Sequence, residues 1–243
     1  MSTPPMYSSL VALDREQHRK LRLKTDLSSL DRVAGLNSVF LAVVEFADAC
    51  KDFPIVFVRV GTPAEGQPQA VAPLAVFGLK PGSNLFVKDG QWTGRYMPAY
   101  VRRYPFAMAR LAEGSQDMAM VFDGGWEGLS ETEGNALFND DGEPSEFLLG
   151  AKSFVENFEV ESERTRLACE ELMTLDLLRD MRFEATLPNG EKIDVEGFLT
   201  VDEEKLAALD DAKVAQLFRN GLLALIEMHR VSLGNMSRLA GQY

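Results

Sequence analysis

The chain has 243 residues, of which 46% are hydrophobic and 26% charged, so it can bury one large core or two small ones. A net charge of −12 and only two cysteines exclude a disulfide-stapled secreted domain and a generic nucleic-acid binder, and the hydrophobic share excludes a disordered chain. The N-terminus lacks a secretory signal pattern and no apolar stretch reaches the roughly 20 residues that cross a bilayer, so we expect a cytoplasmic protein without a membrane span.

The first quarter of the chain mixes helix and strand signals. Residues 1–13 predict a flexible entry, and Asp14 is placed to cap a short basic helix over Arg15–Arg22. Val39–Cys50 fits a helix and a strand equally well. Phe53–Val60 has the apolar, β-branched pattern of a buried strand.

The next segments predict turns and strands. Thr62–Gln69 is a polar loop, and Pro73–Leu79 with Leu85–Gly90 predicts a hairpin. Two prolines within Tyr96–Leu111 predict a turn and short helices there. Asp117–Asp123 alternates apolar and polar residues, as a strand does.

The second half gives the clearest signals. After an acidic loop at Gly124–Pro144, apolar residues at three- and four-residue steps predict one long helix, or two, ending near Arg179. Two alternating strands around Asn189-Gly190 predict a hairpin. Asp202 is placed to cap a short helix, and Lys213–Leu239 predicts further helices. This order predicts an α+β fold, with an antiparallel sheet built from hairpins and packed against one long helix and C-terminal helices. We expect a single domain over residues 1–243, with a subdivision near residue 144 as the alternative.

The negative charge is concentrated in one segment. Residues 113–163 hold fourteen acids and one base, a net charge of −13, so the remainder is close to neutral. Just before it, Gln91–Arg110 contains no acid and concentrates aromatic and arginine residues.

Aromatic rings next to arginines suit the recognition of a carboxylate, a phosphate or an acidic peptide. The alternative is that these arginines pair with the acidic segment and that the tyrosines cover a half-buried surface. The turn at Asp123–Trp126 could also approach a ligand, although a plain tight turn explains its glycines. The candidate binding residues are Trp92, Arg95, Tyr96, Tyr100, Arg102, Arg103, Tyr104, Asp123 and Trp126.

The other polar residues form no recognisable catalytic or metal motif. His18 and His229 are far apart, and helix or core roles explain them better than a metal site. Cys50 and Cys169 are predicted to be small core residues. Asn139–Glu143 lacks the spacing of a calcium loop and predicts a solvated turn. We therefore expect no cofactor and no catalytic residue.

Several segments together resemble one family. The strings PIVFVRV, LAVFGLKPGSNLFV, WTGRYMPAYVRRYPFAM, LFNDDGEPSEFL, GFLTVDEEKLAAL and ALIEMHRVSLGNMSRL are similar to the SapC family of bacterial proteins, over about Val11 to Leu239. The resemblance implies an association with surface-layer loci and an accessory role. It transfers no functional residue, because the family carries no established catalytic motif.

These observations lead to three functional hypotheses. The first is a non-catalytic accessory protein that binds a protein, a peptide or a small acidic ligand through the aromatic-arginine segment. The second is an enzyme that uses Asp123, Glu127 or Asp140 as a base. The third is a structural subunit in which the segment forms a homo-oligomer interface.

Overall fold

A computed structural model describes residues 4–24, 30–63, 69–110 and 117–243. The first three residues of the predicted entry, most of the predicted loop at 62–69 and the first residues of the acidic segment lie outside these ranges. Backbone contacts divide the chain into two compact units, and each unit combines two separate stretches of sequence. Unit 1 comprises Met1–Arg32 and Val101–Val160, and unit 2 comprises Val33–Tyr100 and Glu161–Tyr243.

The strands of the described residues number thirteen in chain order: β1 Leu10–Ala12, β2 Arg22–Leu23, β3 Ser38–Phe40, β4 Ile55–Val60, β5 Ala70–Val76, β6 Val87–Lys88, β7 Gln91–Trp92, β8 Phe106–Arg110, β9 Met118–Asp123, β10 Leu129–Ser130, β11 Asn135–Ala136, β12 Leu178–Thr186 and β13 Lys192–Val201. The same residues form eight α-helices: α1 Asp31–Ala34, α2 Phe46–Ala49, α3 Ala99–Arg102, α4 Glu146–Thr174, α5 Glu203–Ala207, α6 Asp211–Arg219, α7 Leu222–Ser232 and α8 Asn235–Ala240. A single 3₁₀ turn at Val43–Glu45 precedes α2.

Unit 1 contains two three-stranded antiparallel sheets, in the orders β1-β9-β8 and β10-β2-β11. Phe106 and Phe122 pair across β8 and β9, and they bury their rings with Leu23, Leu137 and other apolar residues. The unit therefore has its own apolar core, to which the first half of α4 contributes Leu148.

Unit 2 is built on one five-stranded antiparallel sheet, in the order β12-β13-β4-β5-β3. The β12–β13 hairpin turns at the predicted Asn189-Gly190, where Gly190 has a φ of 86° that suits glycine. Asp202 caps α5, because its carboxylate accepts hydrogen bonds from the backbone N–H groups of Glu204 and Lys205. The predicted α+β class, long helix, hairpin and C-terminal helices are all confirmed.

Within the predicted flexible entry, Leu10–Ala12 form strand β1. Within the predicted turn and short helices of Tyr96–Leu111, Phe106–Arg110 form strand β8.

Two further local predictions were wrong. Asp14 does accept hydrogen bonds from the N–H groups of Glu16 and Gln17, but residues 15–20 form turns and no α-helix follows. The predicted hairpin of Pro73–Leu79 with Leu85–Gly90 does not form either. Strand β5 pairs with β3 and β4, and β6 pairs with β7.

The long helix α4 carries an exposed glycine at position 150. A Cβ atom added there would meet nothing within 4 Å. Because glycine costs about 1 kcal/mol relative to alanine inside a helix, we expect Gly150→Ala to raise the free energy of unfolding by about that amount. Urea unfolding followed by circular dichroism checks this, and an unchanged or lower midpoint would contradict it.

None of the helices in the described part of the chain is both long and apolar enough to span a membrane.

Candidate functional site

Asp123 of unit 1 has a carboxylate that accepts six hydrogen bonds. Its carboxylate is fully buried at the end of β9. Oδ1 accepts hydrogen bonds from the N–H groups of Ser8, Ser9 and Gly125 and from the Ser8 hydroxyl, at 2.8–3.2 Å. Oδ2 accepts from the Tyr104 hydroxyl and from the Arg32 guanidinium, each at 2.8 Å. Burial acts to raise the pKa of Asp123, but these hydrogen bonds outweigh it and lower that pKa below its usual value.

Tyr104 connects this carboxylate to the aromatic residues of unit 1. Its ring lies edge-on to Tyr7 and to Trp126, with centroids 5.3 and 6.0 Å apart. Burial, followed by the hydrogen bond to Asp123, raises the pKa of the Tyr104 hydroxyl. The Tyr104 hydroxyl is therefore neutral and donates a hydrogen bond to Asp123, and this bond fixes the position of the Tyr104 ring.

Arg103 is buried and packed between aromatic rings. Its guanidinium lies 4.2 Å from the centre of the Phe158 ring and 5.9 Å from that of Tyr7. Glu159 provides a carboxylate 3.6 Å from the Arg103 Nη1 atom. The predicted pairing of these arginines with the acidic segment thus holds for Arg103, whose environment is that of a core cation.

Next to these residues, unit 1 contains a pocket of about 220 Å³. Its walls come from β2, the α3–β8 connection, the Trp126 turn and the first half of α4. The residues that line it are Leu23, Arg102, Arg103, Tyr104, Pro105, Phe106, Trp126, Phe147, Ala151 and Phe154. Among these described residues none is acidic, and the two charged ones are adjacent arginines. The pocket therefore combines an apolar body with a positive charge.

Arg102 is the exposed arginine of this pocket. Its guanidinium lies 5.2 Å from the centre of the Phe154 ring, a cation–π contact that holds the group over the aromatic wall. The structure thus brings together four of the predicted site residues: Arg102, Arg103, Tyr104 and Trp126. Sequence reasoning missed Leu23, Phe147 and Phe154, because only the fold places them beside this segment.

Of the five other predicted residues, Asp123 belongs to unit 1 and four belong to unit 2, where two buried carboxylates accept hydrogen bonds from the surrounding backbone. Asp52 accepts hydrogen bonds from the N–H groups of Arg95 and Tyr96, at 2.6 and 3.1 Å. Glu45 accepts from the Tyr96 hydroxyl at 2.8 Å and from the N–H of Ala99 at 2.7 Å. These two acids went unrecognised in the sequence: Glu45 lies in the ambiguous stretch Val39–Cys50, and Asp52 falls between that stretch and the predicted strand Phe53–Val60.

Trp92 packs into an aromatic cluster of unit 2. Its ring lies 5.3 Å from Phe77 and 5.8 Å from Phe86, and its indole N–H donates to the Tyr96 carbonyl at 2.9 Å. Tyr100 is buried and Arg95 is exposed. The contacts of Trp92 and Tyr96 are those of a packed core, so the pocket of unit 1 is the better candidate site.

The acidic loop of unit 1 forms ion pairs and hydrogen bonds with the basic residues of positions 15–24. Arg15 pairs with Glu143 at 2.8 Å, and Lys24 pairs with Glu133 at 2.5 Å. Arg19 and Arg22 donate to the backbone carbonyls of residues 140 and 134. These contacts supply the loop with cations from residues 15–24.

The three carboxylates considered as catalytic bases have unsuitable surroundings. Asp123 accepts six hydrogen bonds and has a lowered pKa, whereas a base acting near neutral pH needs a raised one. Glu127 and Asp140 are exposed and do not line the pocket. This geometry gives no support to the enzyme hypothesis.

The remaining candidate chemistry is structural. His229 is fully buried in unit 2, which confirms its predicted core role. Cys169 is buried as predicted and Cys50 is half-buried, and neither forms a disulfide. Burial raises the pKa of the Cys169 thiol to about 12, so it is unreactive at neutral pH. The described residues contain no group of three or more histidine, cysteine or acidic side chains that could hold a metal ion.

Comparison with known proteins gives one match. A family model described as SapC matches residues 13–239. No curated protein and no solved structure matches the chain.

Proposed function

The chain belongs to the SapC family, and from that premise we propose that it is a non-catalytic accessory protein of the bacterial cytoplasm that binds a partner molecule in the pocket of unit 1. The partner is a protein, a peptide or a small ligand that carries an acidic group. One observation carries this proposal: four predicted binding residues line a single pocket that has apolar walls and no acidic residue among its described lining.

The charge distribution supports the same proposal. The cations of residues 15–24 contact the acidic loop. Arg103 is buried against Phe158 and Glu159, so it fixes the shape of the pocket wall. Arg102 is exposed, and its planar guanidinium offers N–H donors in the fork that matches a carboxylate or phosphate group. Recognition of an acidic group is therefore assigned to Arg102.

The test is the loss of a partner when Arg102 is changed. We expect Arg102→Ala to reduce partner recovery at least tenfold, about 1.4 kcal/mol, because it removes the exposed charge of the pocket. The measurement is affinity purification from the native host with quantitative mass spectrometry of proteins and of extracted small molecules. Arg95→Ala is the matched control, since Arg95 is an exposed arginine of the same segment that belongs to unit 2.

A single substitution is preferable to an Arg102/Arg103 double variant. Removing the buried Arg103 would leave Glu159 without its ion-pair partner and would unpack Phe158, so lost binding could reflect lost folding. Equal recovery of the same partners by wild type, Arg102→Ala and Arg95→Ala would overturn the proposed function.

A further inference from the structure

The size of the unit 1 pocket limits what can enter it. Its volume of about 220 Å³ is below the roughly 300–1,000 Å³ of pockets that hold drug-sized ligands. It exceeds the roughly 150 Å³ of an apolar cavity that holds one benzene molecule. The part of a ligand that the pocket encloses is therefore about the size of one aromatic ring with a short chain.

The walls specify the chemistry of the part that is buried. The rings of Tyr104, Trp126 and Phe147 line the pocket together with the side chains of Leu23 and Ala151. The Tyr104 hydroxyl is already committed to Asp123. An apolar body gains free energy here by leaving water and by ring contacts, whereas a polar body would lose hydrogen bonds.

The charge of the lining specifies the other end of the ligand. Arg102 and Arg103 supply the charges of the described lining, and their guanidinium carbons lie 5.2 and 4.2 Å from the ring centres of Phe154 and Phe158. A guanidinium is a planar fork of N–H donors whose geometry matches the two oxygens of a carboxylate. Arg102 is the exposed one of the two, so the anionic end belongs on the solvent side.

We propose that this pocket binds a small monocarboxylate whose apolar body is about the size of one aromatic ring. The inference rests on the proposed function and narrows its ligand to one chemical class. The carboxylate meets the Arg102 guanidinium while the apolar body lies against Tyr104, Trp126 and the first half of α4.

The direct test is isothermal titration calorimetry of the full chain with 3-phenylpropionate and with 3-phenylpropan-1-ol. The two probes have the same ring and chain, but only the first carries a charge. We expect 3-phenylpropionate to bind saturably and at least ten times more tightly than the alcohol. Arg102→Gln should reduce its affinity to that of the alcohol and leave the affinity for the alcohol unchanged.

Trp126 gives a second measurement at the site. In a Trp92→Phe background it is the one remaining tryptophan, so ligand entry should change its fluorescence with the same dissociation constant as calorimetry. Calorimetry uses the unmodified chain, so the proposal remains testable if Trp92→Phe does not fold. Arg95→Gln should bind 3-phenylpropionate as the wild type does.

The outcomes separate this inference from the proposed function. Equal affinities for the acid and the alcohol, or an Arg102→Gln variant that binds the acid normally, would overturn the carboxylate assignment. The same holds if Gly-Gly-Gly-Phe with a free C-terminus binds and 3-phenylpropionate does not, because the occupant would then be a chain terminus. In each case a partner lost by Arg102→Ala in the co-purification would leave the proposed function standing.

Discussion

Replacing Asp123 by asparagine should lower the free energy of unfolding by about 3 kcal/mol, the range expected when one partner of a buried ion pair is removed. The amide would lose the negative charge that Arg32 faces at 2.8 Å. It would also turn an N–H₂ donor towards either the Arg32 and Tyr104 donors or the four donors from Ser8, Ser9 and Gly125. Arg32 is partly exposed and can reach water, so we expect the lower end of the 3–5 kcal/mol range.

Urea unfolding in a Trp92→Phe background measures this change, with Trp126 fluorescence as the probe of unit 1. Tyr104→Phe removes only one of the six hydrogen bonds and should cost about 1 kcal/mol. Glu143→Gln is the control carboxylate of the same unit, because its pair with Arg15 is exposed and should contribute less than 1 kcal/mol. If Asp123→Asn lowers the free energy of unfolding no more than Glu143→Gln does, the hydrogen bonds of Asp123 to Ser8 and Ser9 do not stabilise unit 1 as we expect.

The second large effect concerns acid stability and His229. The Val201 N–H donates to Nε2 at 3.1 Å, so Nε2 carries a lone pair, and Nδ1–H donates to the Ile55 carbonyl at 2.8 Å. Burial lowers the pKa of His229 to about 4, from an ordinary value of 6.5. The contact with the Ile55 carbonyl acts to raise the pKa, and Arg230 acts to lower it.

The pKa of His229 is lower in the folded state than in the unfolded state, so between these two values the folded state binds fewer protons than the unfolded state. Its contribution to stability is complete above pH 6.5 and is lost between pH 6.5 and about 4. A shift of this size corresponds to about 3 kcal/mol. We therefore expect the urea midpoint to fall across this pH window.

His229→Gln should lower stability at pH 7 and flatten the dependence on pH between 6.5 and 4.5. His18→Gln is the matched control, because it removes the chain's other histidine, which is not buried. Parallel pH profiles for wild type and His229→Gln would contradict the assignment, and so would a flattened profile for His18→Gln. Urea unfolding followed by circular dichroism at each pH gives the midpoints of the wild type and of both variants.

Local patterns predicted the parts of the fold that local interactions specify. Helix α4 has apolar residues at three- and four-residue steps, and the β12–β13 hairpin has an Asn-Gly turn between alternating strands. Residues 15–20 failed as a helix because Asp14 caps a turn without an apolar face to continue it, and their arginines reach the acidic loop instead. A cap alone does not make a helix.

Strand partners could not be predicted in the same way. Strand β5 lies near β6 in sequence but pairs with β4 and β3, since all three bury apolar residues in one sheet. The candidate site has the same limitation. The residue types of the aromatic-arginine segment pointed to binding, but the boundary between the units falls after Tyr100 and places its two halves in different units. Only the topology brings Leu23 and Phe154 to the pocket.

The contacts of His229 have a consequence for how the protein is made. The pairing of Leu199 with Phe57 would extend to Val201 opposite Ile55, where the imidazole ring bridges the two backbone groups. Ser232 accepts a hydrogen bond from the Ile55 N–H, and Asn235 donates to the Phe53 carbonyl. The start of β4 thus depends on side chains synthesised 174 or more residues later. At translation rates of about 5–20 residues per second this is a delay of about 10–30 s. During that time the start of this apolar strand lacks three of its hydrogen-bonding partners, so its edge is exposed to pairing with other chains until the C-terminal helices are made.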